Sequence, residues 1–158
     1  MSYFIFSKNY ENLEGSIYKI AENEFDLNNL NIIKSDYKII EDSQINFDAV
    51  KYGTKNIIKY NNTITYEDIS TIFADSKKDG VVVKSGKESL NEYISSYKIY
   101  IKQFTDNNIN HPLYSRWNNY YSQLNTLNLD SIQYPLNMSL EQYFKDQNQT
   151  SLNPLQIP

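Results

Sequence analysis

At 158 residues the chain is long enough to bury most of the surface that its unfolded form would expose. It has no cysteine, which removes disulfides and thiolate metal sites, and its 15 basic and 19 acidic residues give a net charge of -4, the wrong sign for wrapping nucleic acid through its phosphates. No window approaches the roughly 18 apolar residues of a membrane-spanning helix, and Met1 to Asn12 lacks the basic and apolar succession of a signal peptide, so neither nucleic acid nor membrane is an expected partner.

The first half carries period-two patterning broken by turn residues. Tyr3 to Phe6 and Ser16 to Ile20 read as strands with Gly15 between them, a hairpin with a loose loop. Glu22 to Leu30 has acids early and suits one or two helical turns, and Tyr37 to Glu41 returns to strand. Ser43 is an expected N-cap, with Ile45, Phe47 and Val50 on an apolar helix face and Gly53 as the left-handed stop. Asn56 to Tyr60 and Thr63 to Tyr66 flank Asn61-Asn62, a dipeptide that tolerates the positive φ of a tight hairpin. Across Glu67 to Gly86, Ile69, Ile72 and Phe73 suggest a short helix or strand, and Val81 to Val83 a brief strand.

From Ser85 the apolar period lengthens to that of a helix. Ser85 and Glu88 have capping-box spacing, and Leu90, Tyr93, Ile94, Tyr97, Ile101 and Phe104 fall on one face. Pro112 suits a first helical position, after which Leu113, Trp117, Tyr120, Tyr121, Leu124 and Leu127 continue a second amphipathic helix that should pack antiparallel to the first. Tyr134-Pro135 breaks the chain, Ser139 and Gln142 cap a short helix carrying Leu140, Tyr143 and Phe144, and Thr150 to Pro158 is an extended tail whose docking place the pattern leaves open. The expected class is therefore α+β: a small antiparallel β-sheet lobe with short helices over residues 1–84, then an antiparallel helical hairpin, a short terminal helix and a tail over residues 85–158.

Tests for chemistry are mostly negative. His111 is the one histidine, so a metal or a catalytic base would have to be built around it alone; before Pro112 at a helix entry it reads better as a side chain that satisfies backbone or faces water. Gly80 to Ser89 resembles a phosphate-binding loop but has five residues between its glycines where the motif has four, and Glu88 where a hydroxyl would hold magnesium. The acids of Glu22 to Asp26 and Glu41-Asp42 lack a calcium-loop spacing and oppose helix dipoles instead. No catalytic residue, metal or cofactor is expected.

Composition adds one feature. Asn, Ile, Lys and 15 tyrosines dominate, which reflects A/T-rich codons, a sticky Tyr/Asn surface, or both, the two readings being compatible. Trp117, Tyr120 and Tyr121 beside Arg116 form an aromatic stripe that is either the core of the helical hairpin or a binding face of the residue types that dominate hot spots; Tyr143 extends it.

The stretch Leu113 to Phe144, with Arg116-Trp117, Tyr120-Tyr121, Leu124, Tyr134-Pro135 and Ser139-Leu140-Glu141-Gln142-Tyr143, resembles the carboxyl-terminal region of small proteins encoded among the tail genes of tailed bacteriophages. The resemblance implies a non-enzymatic tail accessory protein acting as an assembly factor, with a tail or tail-fibre protein, or itself as a homo-oligomer, as partner. The expected location is then the host cytoplasm or the virion. A structural subunit of the virion is the alternative, and a small anti-host effector or enzyme with an unrecognised site is a further one. The expected partner-binding residues are Arg116, Trp117, Tyr120, Tyr121 and Tyr143.

Overall fold

A computed structural model describes residues 1–8 and 14–158; the loop expected inside the first hairpin falls largely on residues 9–13, outside the described residues. The chain is α+β, with small antiparallel sheets and an antiparallel helix pair. It divides into two compact units, one made of Met1–Ile69 with Asn153–Pro158, the other of Ser70–Leu152. The division thus falls between Ile69 and Ser70 rather than after residue 84, and the tail returns to the first unit instead of ending with the helices. The reason is local pairing. Phe73 is bonded to Leu136, its N–H donating to the Leu136 carbonyl at 2.8 Å and its carbonyl accepting from the Leu136 N–H at 3.0 Å, which ties the segment after Ile69 to the helical half.

In the first unit, β1 (Ser2–Ser7) lies between β2 (Ile17–Ala21) and β3 (Tyr37–Asp42), antiparallel to both. Successive strand side chains point to opposite faces. Phe4 and Phe6 therefore join Ile20, Phe47, Val50 and Ile57 in one cluster, while Ile5 joins Ala21, Leu27 and Leu30 in another. Both faces of β1 are covered, which is why it reads as a run of apolar residues rather than an alternation. Gly15 follows from the same crowding: a Cβ there would stand 2.1 Å from the Ser7 carbonyl oxygen, and the Gly15 backbone exchanges hydrogen bonds of 3.0 and 2.8 Å with Tyr60.

Helix α1 (Glu24–Asn28) is capped by Asn23, and α2 (Gln44–Lys51) by Ser43, whose Oγ accepts from the Asn46 N–H at 3.2 Å. Phe47 and Val50 are buried as expected, but Ile45 is 81% exposed. Two residues before Phe47, it stands about 200° around the helix and faces solvent. The hairpin of β4 (Lys55–Asn61) and β5 (Thr63–Asp68) turns at Asn62, with φ 61°. The tail closes this unit: a 3₁₀ turn over Pro154–Gln156 packs on β2, Leu155 reaches the Phe4 cluster, and Asn153 Nδ2 donates to the Lys51 carbonyl at 3.1 Å.

The second unit opens with a ribbon, β6 (Ser76–Lys78) and β7 (Val81–Lys84), then α3 (Gly86–Asn107), α4 (Tyr114–Thr126) and α5 (Leu140–Asp146). Ile69, Ile72 and Phe73 belong to no helix or named strand; Phe73 makes an isolated bridge to Leu136 and its ring meets Tyr93, centroids 6.1 Å apart. Ser85 Oγ accepts from the Glu88 N–H at 3.1 Å and Ser139 Oγ from the Gln142 N–H at 3.0 Å, starting α3 and α5 where the serines predict. Pro112 is not the first residue of α4. It lies in the preceding turn, where His111 Nδ1 accepts from the Leu113 N–H at 3.0 Å and the His111 carbonyl from the Tyr114 N–H at 3.0 Å.

Candidate functional site

Leu113, Trp117, Tyr120 and Leu124 recur at helical spacing and form the buried stripe of α4. Trp117 is 0% and Tyr120 1% exposed. Both rings pack edge-on or tilted against Tyr97 of α3, with centroids 6.3 and 5.7 Å away, and Tyr120 meets Phe144 of α5 at 5.9 Å. The aromatic stripe is thus the core of the helix pair, and Trp117 and Tyr120 present no surface to a partner. Arg116 and Tyr121 flank the stripe and are half-buried; Tyr143 is half-buried on α5. The five expected residues do not form one face, because those that pack inward are separated around the helix from those at its borders.

Tyr121 borders a concavity of about 550 Å³ along α3, with Lys98, Ile99, Lys102, Gln103 and Asp106. The Lys98 Nζ lies 5.8 Å from the Tyr121 ring centroid, and Lys102 pairs with Asp106 at 3.0 Å. Tyr143 borders a second, of about 670 Å³, with Ile132, Pro135, Leu136, Met138 and Asp146.

A cluster that no sequence motif signals lies inside this unit. The buried Glu141 accepts from the Tyr93 hydroxyl at 2.5 Å, and its backbone carbonyl accepts from Ser151 Oγ at 2.6 Å. The hydroxyls of Tyr97 and Tyr120 both donate to the Leu152 carbonyl, at 2.9 and 3.2 Å. Burial pushes the Glu141 carboxyl above its ordinary range, and burial together with the nearby carboxylate pushes the phenols of Tyr93, Tyr97 and Tyr120 up. Acid and phenols in contact are groups that proton-transfer chemistry uses. Here their hydrogen bonds end on one another, on the Ser139 side chain and on the backbone of residues 141 and 152, and neither concavity is lined by any of them. Their arrangement orders a core.

The surface feature is the ribbon. Asp79 and Gly80 have φ 54° and 80°, the left-handed pair of a tight two-residue turn whose twist matches its strands. Val81, Val82 and Val83 follow in succession and are 65%, 47% and 61% exposed, and every residue of β6 is exposed as well. Both faces of the ribbon are therefore wet. Its two edges differ: β6 carries Lys77 and Lys78, charges that blunt an edge strand against pairing, whereas β7 presents three β-branched apolar residues in a row. Asp79-Gly80 beside a valine run is a hairpin signal that would have located β6 from sequence. In the first unit, β5 likewise has one neighbour among the described residues, β4, and exposes Thr63, Thr65, Glu67 and Asp68.

Among the described residues no group of His, Asp and Glu converges as a metal site, and no helix is long and apolar enough to cross a membrane. The chain matches no family model, no curated protein and no solved structure.

Proposed function

We propose that this chain is a non-enzymatic, protein-binding accessory factor of a bacteriophage tail, and that it binds through the open edge of β7 rather than through the aromatic stripe of α4. The observation that carries this reading is the uncovered run Val81 to Val83 on an edge strand. A two-stranded ribbon gains little in water by itself, and an apolar edge with free N–H and C=O groups is a template for a further strand. Main-chain pairing would supply affinity there and the valine side chains a contact surface. The class of partner, a tail or tail-fibre protein, comes from the resemblance over Leu113 to Phe144. The aromatic residues of that stretch serve as scaffold, holding α3, α4 and α5 together beneath the ribbon's root at Gly86, whose N–H donates to Asp75 Oδ1 at 3.0 Å.

The test is binding to purified tail and tail-fibre proteins, read by hydrogen exchange of the ribbon amides. Protection of Val81 to Val83 on complex formation is expected, and Val82→Lys should weaken binding by about tenfold or more while the fluorescence of the single Trp117 stays native. Binding that Val82→Lys leaves unchanged would remove the ribbon as the docking element.

A further inference from the structure

A strand suited to the open edge of β7 is carried by the chain itself. Resting on the reading that this edge is a docking element, we propose that β5 of a second copy adds to β7, so that copies associate head to tail.

Charge is the first reason. The chain is acidic, with net charge -4, yet the ribbon is locally basic. Lys84 and Lys87 are taken up by Glu92 and Asp130, while Lys77 and Lys78 are exposed and make no ion pair among the described residues. The end of β5 is the complement: Glu67 and Asp68 are adjacent, exposed and likewise outside any ion pair among the described residues. Strands lie about 4.8 Å apart, so a strand added to β7 stands roughly 10 Å from β6, a gap that a lysine side chain narrows to within the Debye length at physiological salt.

Edge chemistry is the second. β5 reads Thr-Ile-Thr-Tyr before its acids, residues that favour strands, and no lysine or proline interrupts it. β3, one of the two outer strands of the other sheet in that unit, is less suitable. It carries Lys38, and Asp42 at its end already accepts hydrogen bonds from Asn46, the Ser43 N–H and Tyr66. Pairing of β7 with β7 of another copy would leave Lys77 and Lys78 of the two ribbons roughly 14 Å apart, beyond the Debye length, and would bring them no opposite charge.

A contact between two different surfaces leaves one free β7 and one free β5 at the ends of an open assembly, so it propagates until the copies close into a ring. The edge is short: β7 has 4 residues, and a strand of that length buries far less than the roughly 1,000 Å² of a stable interface. Association should therefore be weak, concentration-dependent and salt-sensitive.

Sedimentation of the purified full chain over a wide concentration range provides the test. Weight-average mass should rise past that of a dimer at low salt and fall back in high salt. Lys77→Glu with Lys78→Glu, and separately Glu67→Lys with Asp68→Lys, should each weaken self-association at least about tenfold, and an equimolar mixture of the two double variants should restore it, since every contact between unlike variants pairs opposite charges. A Glu67→Lys, Asp68→Lys variant that associates as the wild type does would overturn the proposal, as would a wild-type chain that stays monomeric throughout. If the chain stays monomeric but Val82→Lys still abolishes binding to a tail protein, the self-association fails and the docking edge stands. If Val82→Lys alters neither, both fail.

Discussion

The hydroxyl of Tyr93 on α3 donates at 2.5 Å to Oε1 of Glu141 on α5, a carboxyl that the surrounding helices exclude from water. Burial raises the Glu141 pKa, and the bonds from Tyr93, its own backbone and Ser139 oppose that rise without cancelling it. Between the ordinary carboxylate value and this raised one, the folded chain binds more protons than the unfolded chain. The contribution of Glu141 is thus fully present below the ordinary value and is lost as pH rises through the folded value. Glu141→Gln keeps an acceptor for Tyr93 and has no charge to bury. Relative to wild type it should gain stability as pH rises from about 4 to 8, measured by urea unfolding followed through Trp117 fluorescence. An identical pH slope in both proteins would count against a buried, proton-linked Glu141.

Asp42 behaves in the opposite sense. Burial pulls its pKa up, but hydrogen bonds from Asn46, Ser43 and Tyr66 outweigh it, and the net shift is downward. Its contribution is present above the ordinary carboxylate value and lost as pH falls through the lowered one. Tyr66→Phe removes a 2.8 Å bond to Asp42 Oδ2. The cost should be about 1 kcal/mol near neutrality, modest because the pair is partly solvated. Hydrogen exchange of the β4 and β5 amides should show it, and the difference from wild type should shrink in acid.

The Leu152 carbonyl accepts from two phenols, Tyr97 at 2.9 Å and Tyr120 at 3.2 Å. Either Tyr→Phe change leaves the carbonyl one donor, so each alone should cost roughly 1 kcal/mol. The double variant orphans a buried acceptor and should exceed the sum of the singles by about 1 kcal/mol or more. Additive losses in a double-mutant cycle would show that the two hydroxyls act independently.

Trp117→Ala should destabilise the helical unit by about 3–5 kcal/mol, as expected for deleting a large ring from a packed core. Trp117→Phe should cost less, because the buried indole N–H has no hydrogen bond to lose among the described residues. Val82→Lys, by contrast, should change thermal stability by no more than about 0.5 kcal/mol. Calorimetry separates these directly, and a mild effect of Trp117→Ala would return the stripe to consideration as a surface.

Gly15→Ala places a Cβ 2.1 Å from the Ser7 carbonyl oxygen, so the backbone of β1 or the contact with Tyr60 must shift. A loss of about 1–3 kcal/mol is expected. Exchange protection at Ser7 and Tyr60 should fall first, since the Ser7 N–H bonds the Ser16 carbonyl next door at 2.9 Å. Unchanged protection would mean that the close approach is not required.

Much of the fold was legible because it is written in local chemistry. Ser43, Ser85 and Ser139 mark helix starts since a side-chain oxygen can satisfy an orphan N–H whatever lies further away. The long period of Leu90 to Phe104 announces α3 for the same reason. The candidate site was less legible. A run such as Trp117, Tyr120 and Tyr121 looks alike whether it faces a neighbouring helix or a partner, and only the packing of Tyr97 and Phe144 against it separates the inward rings from Tyr121 at the border. The ribbon is half visible: the valine run Val81 to Val83 marks β7, but its partner β6 is polar and short, with no apolar period, and only the Asp79-Gly80 turn points to it.

By itself the sequence determined the α+β class, the positions of most strands and helices, and the absence of cysteine chemistry, because propensity, capping and periodicity act over a few residues. Tertiary structure alone decided that the stripe on α4 is core, that the tail from Asn153 belongs with β2 and α2, and that three valines on β7 are left in water. Those outcomes depend on which segments distant in the chain cover one another, and burial is a property of the cover rather than of the residue covered.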